Sequence, residues 1–181
     1  MYKKILSLLT TLFVLTSCSI IRDDPNISQL FKKDDIYHIS LLNTHKAQLI
    51  ASLETKALLT ATYLNPVYTH ANCKNFRMSM KDGEYFFVGV YINKSKKHHF
   101  NNKGYSLTLD GSDPIEVTKL DKDDPLKYEM PMVDNWSTYY KVKFPTSKKE
   151  KLNLVFQSDR FGKDILEFER VVNKNCKIHK N

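Results

Sequence analysis

The chain predicts an all-β fold, an antiparallel sandwich of seven or so short strands. Three observations carry that expectation. Residues 47–63 alternate, with Ala47, Leu49, Leu59, Ala61 and Tyr63 at odd positions and Gln48, Ser52, Lys56 and Thr62 at even ones. The run 85–92 is apolar on both alternating sets, as a central strand buried on both faces should be. Turn signals then recur at close spacing: Asp82-Gly83, Asp110-Gly111, the stretch 121–125 and Pro145.

Taken in order, residues 1–17 read as a signal segment and 18–43 as a polar lead-in containing Pro25, with 27–42 open between a short helix and an irregular stretch. The folded domain is expected over 44–181. Within 47–63 a helical stripe (Ile50, Leu53, Ala57, Ala61, Leu64) competes with the period of two. Thr60, Thr62 and Tyr63 favour the strand, with a break near Glu54-Thr55, and Asn65-Pro66 should end the element. Tyr105, Leu107 and Leu109 mark the strand after the long one. Ile115 with Val117 suggests a short strand, and 139–144, 152–156 and 165–168 mark the last three. No internal repeat and no second domain is visible.

The start of the chain has the layout of a secretory signal: Lys3 and Lys4, an apolar run over 5–15, then small residues. The run is about half of the roughly 20 residues that cross a bilayer as a helix. Leu15-Thr16-Ser17-Cys18 resembles the lipobox of bacterial lipoproteins. That resemblance implies that Cys18 becomes the first mature residue and carries lipid, which anchors the protein in a membrane. Ser19, next in line, points to the outer membrane, with a periplasm-facing position expected. In such an oxidising space, Cys73 and Cys176 read as one disulfide, with two free thiols as the alternative. Closing so long a loop is worth roughly 4 to 5 kcal/mol in the chain-entropy model.

The 181 residues carry a formal charge of +8, dispersed but with runs at Lys94-Ser95-Lys96-Lys97 and Lys148-Lys149-Glu150-Lys151. Lysine-rich turns that keep a β protein soluble and guard its edges account for them better than a lipid-binding patch does. An exported chain with no binding motif gives no reason to expect nucleic acid.

The order Glu84-Tyr85-Phe86-Phe87-Val88-Gly89-Val90-Tyr91-Ile92-Asn93-Lys94, then Gly104-Tyr105-Ser106-Leu107-Thr108-Leu109-Asp110-Gly111, then Tyr140-Lys141-Val142-Lys143-Phe144-Pro145 and Lys151-Leu152-Asn153-Leu154-Val155-Phe156, resembles the immunoglobulin-like, telokin-like domains of secreted bacterial lipoproteins. The resemblance spans roughly 82–170. The glycine that often precedes the late strand is replaced here by Asn135-Trp136-Ser137. The resemblance implies an immunoglobulin-like sandwich with a binding or assembly role, and it supplies no functional residues.

Searched for chemistry, the sequence offers little. His98-His99 are adjacent and would point to opposite faces of a strand, so no metal site is expected. Asp110, Asp113, Asp121, Asp123 and Asp124 cluster between strands, but Leu126 and Met132 stand where a calcium loop starting at Asp121 needs glycine and glutamate, so solvated turn carboxylates fit better. No nucleophile elbow and no glycine-rich phosphate loop is present. Glu167 and Glu169 share a strand face, as carboxylates on solvated strands often do. A catalytic role and a cofactor are therefore not expected. The best contact surface is 130–140, with Met132, Trp136, Tyr139 and Tyr140 as candidate partner-contact residues.

The functional expectation is a lipid-anchored envelope protein, a non-enzymatic binding or assembly module whose partner is another envelope protein. The alternatives are a periplasmic ligand- or metal-binding lipoprotein and a small envelope hydrolase.

Overall fold

In a computed structural model, the structure describes residues 36–71, 82–95 and 98–170. Among them, eight strands form two antiparallel sheets, as the sequence predicts. The strands are β1 (Thr44–Ala51), β2 (Glu54–Tyr63), β3 (Glu84–Ile92), β4 (Tyr105–Leu109), β5 (Glu116–Lys119), β6 (Thr138–Phe144), β7 (Lys151–Ser158) and β8 (Gly162–Glu169). The larger sheet runs β1-β2-β3-β6-β5 and the smaller β4-β7-β8. Three short helices join them: α1 (Ile36–Leu42), α2 (Leu64–Ala71) and α3 (Pro125–Glu129). No helix among the described residues is long and apolar enough to cross a membrane.

The two sheets enclose one core. Leu59, Ala61 and Tyr63 of β2, Phe86, Val88 and Val90 of β3, and Val142 and Phe144 of β6 face Leu107, Leu152, Leu154, Phe156 and Phe168 of the smaller sheet. Phe86 sits at the centre, stacked on Tyr63 at 5.0 Å and edge-on to Phe144 and Phe168. Gln48 N donates to Asp164 Oδ2 at 2.9 Å, drawing β1 and β8 together along one side.

The long apolar strand is central, as its two apolar faces require, but its second face is covered by helices. Tyr85 and Phe87 of β3 and Tyr139 of β6 meet Leu64, Val67 and Tyr68 of α2, Leu126 of α3 and Met130, with Ile36 and Ile39 of α1 packed against them. Residues 36–43, expected as lead-in, therefore begin the folded body with α1, and Asn43 O accepts from Tyr63 N.

The competing patterns in 47–63 resolve into a hairpin. Ser52 and Leu53 form its two-residue turn, both at positive φ (53° and 61°), the geometry that matches strand twist. The register shifts between Leu49 and Ile50, where Lys56 of β2 is the extra residue. Ile50 alternates outward from buried Leu49 and Leu53 sits exposed in the turn, so the helical stripe is not a buried face. The strand ends at Tyr63, just before Asn65-Pro66 as expected, and the pair lies in the first turn of α2, where a proline removes no helical bond. Pro125, expected within a turn, heads α3, and Asp124 caps it by accepting from Leu126 N at 2.9 Å.

Candidate binding surface

Loop 130–137 leaves α3 and enters β6. Met130 at its start and Tyr139 of β6 just beyond its end are buried, both at 3 % exposure, while its middle is not. Trp136 is 73 % exposed, and Met132, Val133 and the nearby Tyr128 of α3 are also exposed. Met132 holds φ at 60°, an uncommon conformation for a long side chain. The loop is braced from within. One Asp134 carboxylate oxygen accepts from Trp136 N at 2.9 Å and Ser137 N at 2.7 Å, and the other accepts from Ser137 Oγ at 3.1 Å. The buried Tyr139 hydroxyl accepts from Asp134 N at 2.6 Å.

Tyr139 is itself fixed. Its ring stacks on Phe87 at 5.2 Å and lies over Gly89, where a β-carbon would come within 2.5 Å of it. Burial holds its hydroxyl above the ordinary tyrosine range. Lys127 Nζ lies 5.2 Å from the ring centroid. Beside the loop opens a hollow of about 450 Å³, lined by Lys119, Lys122, Lys127, Asn135, Thr138 and Tyr139 among others.

The four contact candidates therefore divide. Met132 and Trp136 stand at the surface, whereas Tyr139 and Tyr140 are buried on opposite faces of β6, Tyr139 beneath the loop and Tyr140 in the sandwich core. Adjacent residues of a strand must face opposite ways, so the sequence pair could not form one surface. Tyr140 instead pins the segment after β3: its hydroxyl donates to His98 O at 3.2 Å and meets His99 Nδ1, and Phe100 packs edge-on against its ring. Burial pushes the Tyr140 hydroxyl up to about 12. His98 Nδ1 accepts from Ile92 N at 2.9 Å, and its ring stacks on Tyr91. Both histidines thus hold a loop, and among the described residues no three His, Cys, Asp or Glu side chains gather closely enough to hold a metal ion. Cys18, Cys73 and Cys176 lie outside the described residues.

A second polar cluster escaped the sequence reading. Glu84, at the head of β3, is 2 % exposed yet carries four partners. Tyr63 Oη donates to it at 2.5 Å, Asn65 Nδ2 at 3.2 Å, Ser147 N at 3.1 Å and Arg170 Nε at 3.0 Å. Burial, and then the Glu84 carboxylate, hold the Tyr63 hydroxyl far above the ordinary tyrosine range. Asn65 also bridges to the strand, giving Nδ2 to Gly83 O and taking Tyr85 N on Oδ1. The signal was a charged residue opening an otherwise apolar strand, with an arginine far along the chain to meet it. The cluster ties β2, α2, β3, the β6–β7 loop and the end of β8 at one point.

The turn carboxylates also have local duties. Asp110 accepts from Lys149 Nζ, Ser147 Oγ and Asn153 N, and Asp124 caps α3. Glu167 and Glu169 are exposed on β8. No family model matches this chain, and no curated protein or solved structure matches it significantly.

Proposed function

We propose that this chain is a lipid-anchored protein of the bacterial outer membrane that acts as a non-enzymatic binding module facing the periplasm. One observation carries the binding role: loop 130–137 displays Trp136 and Met132 to solvent while Asp134 and Tyr139 hold its backbone in place. An exposed tryptophan on a braced loop gains contact area on binding without first having to be ordered. A neighbouring sheet edge supports the same reading. Among the described residues the outer edge of β5 pairs with no strand, and Ile115 and Val117 are exposed beside it, a setting in which a partner's strand can add. The polar clusters point away from catalysis in this proposal, because Glu84, Asp110 and Asp134 each spend their oxygens on local donors. The anchor rests on Cys18 and its resemblance to a lipobox, and we include a Cys73–Cys176 disulfide, readable as the absence of free thiol in the purified protein.

The test is photo-crosslinking in intact cells from position 136, with position 165 on β8, also exposed, as control. A specific envelope-protein adduct from 136 alone supports the proposal, and equal labelling from both positions contradicts it. Loss of lipid labelling in Cys18→Ala is expected, and retention of label would contradict the anchor.

A further inference from the structure

We propose that the hollow beside loop 130–137 is an anion site that takes a phosphate group, borne by a small molecule or a lipid headgroup. This goes beyond the partner-binding role and does not depend on it.

Three lysines from three elements line the hollow. Lys119 comes from the end of β5, Lys122 from the following turn and Lys127 from α3. Lys127 is positioned, since its Nζ donates to Lys122 O at 3.0 Å and sits over the Tyr139 ring. Among the described residues no carboxylate pairs with Lys119 or Lys122. The one carboxylate in the lining, Asp134, already accepts three hydrogen bonds from its own loop. Asp121 and Asp123 flank Lys122 on the exposed turn and do not line the hollow, and Asp124 is turned to the α3 cap.

The donor set selects the ligand. Three ammonium groups, the Asn135 amide and the Thr138 hydroxyl offer more hydrogen bonds, from more directions, than a planar carboxylate accepts. Compact lysine charges suit a tetrahedral oxyanion, which needs no planar fork. The volume, about 450 Å³, falls within the range of small-molecule sites. It leaves room beyond the phosphate for an organic body against Leu120 and Tyr139.

Calorimetry tests this on the full chain in neutral-detergent micelles, titrated with inorganic phosphate, glycerol 3-phosphate and acetate, and repeated in micelles doped with phosphatidylglycerol. Trp136 is the one tryptophan of the chain, and its neighbours Asn135 and Ser137 line the hollow, so its emission gives a second readout. Saturable binding of a soluble phosphate assigns a free ligand, and binding in the doped micelles alone assigns a headgroup. In either case Lys119→Gln/Lys122→Gln, both exposed and outside the core, should weaken binding about tenfold. Lys103→Gln/Lys163→Gln, which removes the same charge elsewhere, should leave it unchanged. The proposal is overturned if no phosphate compound gives a saturable signal, if acetate binds as tightly, or if the two double variants behave alike.

Discussion

The Glu84 cluster and the 130–137 surface are both built from polar and aromatic side chains, yet they are opposites. At Glu84 a carboxylate 2 % exposed accepts four hydrogen bonds from inside the protein. At the loop the polar groups that brace the backbone are satisfied, while Trp136, Met132, Lys119 and Lys122 are left facing solvent. A saturated buried cluster holds a fold together, since any new ligand would have to displace existing bonds. A braced loop with unspent cations and an exposed tryptophan has contacts still to make. The more conspicuous chemistry therefore belongs to structure, and the plainer loop to binding.

The contrast breaks first at Glu84. Glu84→Ala leaves the Tyr63 hydroxyl, the Ser147 amide and the Arg170 guanidinium without their acceptor, and should cost about 3 to 5 kcal/mol in denaturant unfolding. A loss below about 1 kcal/mol would mean that the cluster does not hold the fold. Next come the buried tyrosines. Their folded pKa values lie above the ordinary 10.0, to about 12 for Tyr140. Each raised value contributes stability that is complete below pH 10 and is lost as pH climbs above it, for Tyr140 by about pH 12. Unfolding midpoints should therefore fall across that window, together with the rise of tyrosinate absorbance, and Tyr140→Phe should remove part of the slope. Gly89→Ala joins the two regions. Its methyl would strike the Tyr139 ring that supports Asp134, so a loss of about 1 to 3 kcal/mol should come with a shift in Trp136 emission. Destabilisation with unchanged emission would separate the loop from the sheet beneath it.

Most of the strand framework was legible because half-buried strands show a period of two, as in 105–109 and 152–156, and the run 85–92 shows a strand buried on both faces. The helices were not. α2 and α3 carry in their first turns prolines that also suit turns, and α3 has only five residues, too few to reveal a helical period. Because those helices went unseen, the cover on the second apolar face of β3 was not legible. The loop itself was legible from Trp136 and Met132, but adjacent Tyr139 and Tyr140 read as one patch, since sequence proximity says nothing about which side of β6 each takes. Glu84 and the three lysines of the hollow stayed hidden for a related reason. Tyr63, Glu84 and Arg170, like Lys119, Lys122 and Lys127, acquire meaning only once the sheets bring separated positions together.

The smallest expected effect on stability gives the most direct test. Trp136→Ala should change the unfolding free energy by less than about 0.5 kcal/mol, because the side chain is 73 % exposed. The same variant, lipidated and isolated from crosslinked cells, should lose the envelope protein captured by the unaltered chain. Unchanged stability with lost capture is the predicted result. Full capture by the folded variant would contradict the claim that this loop is where the protein binds.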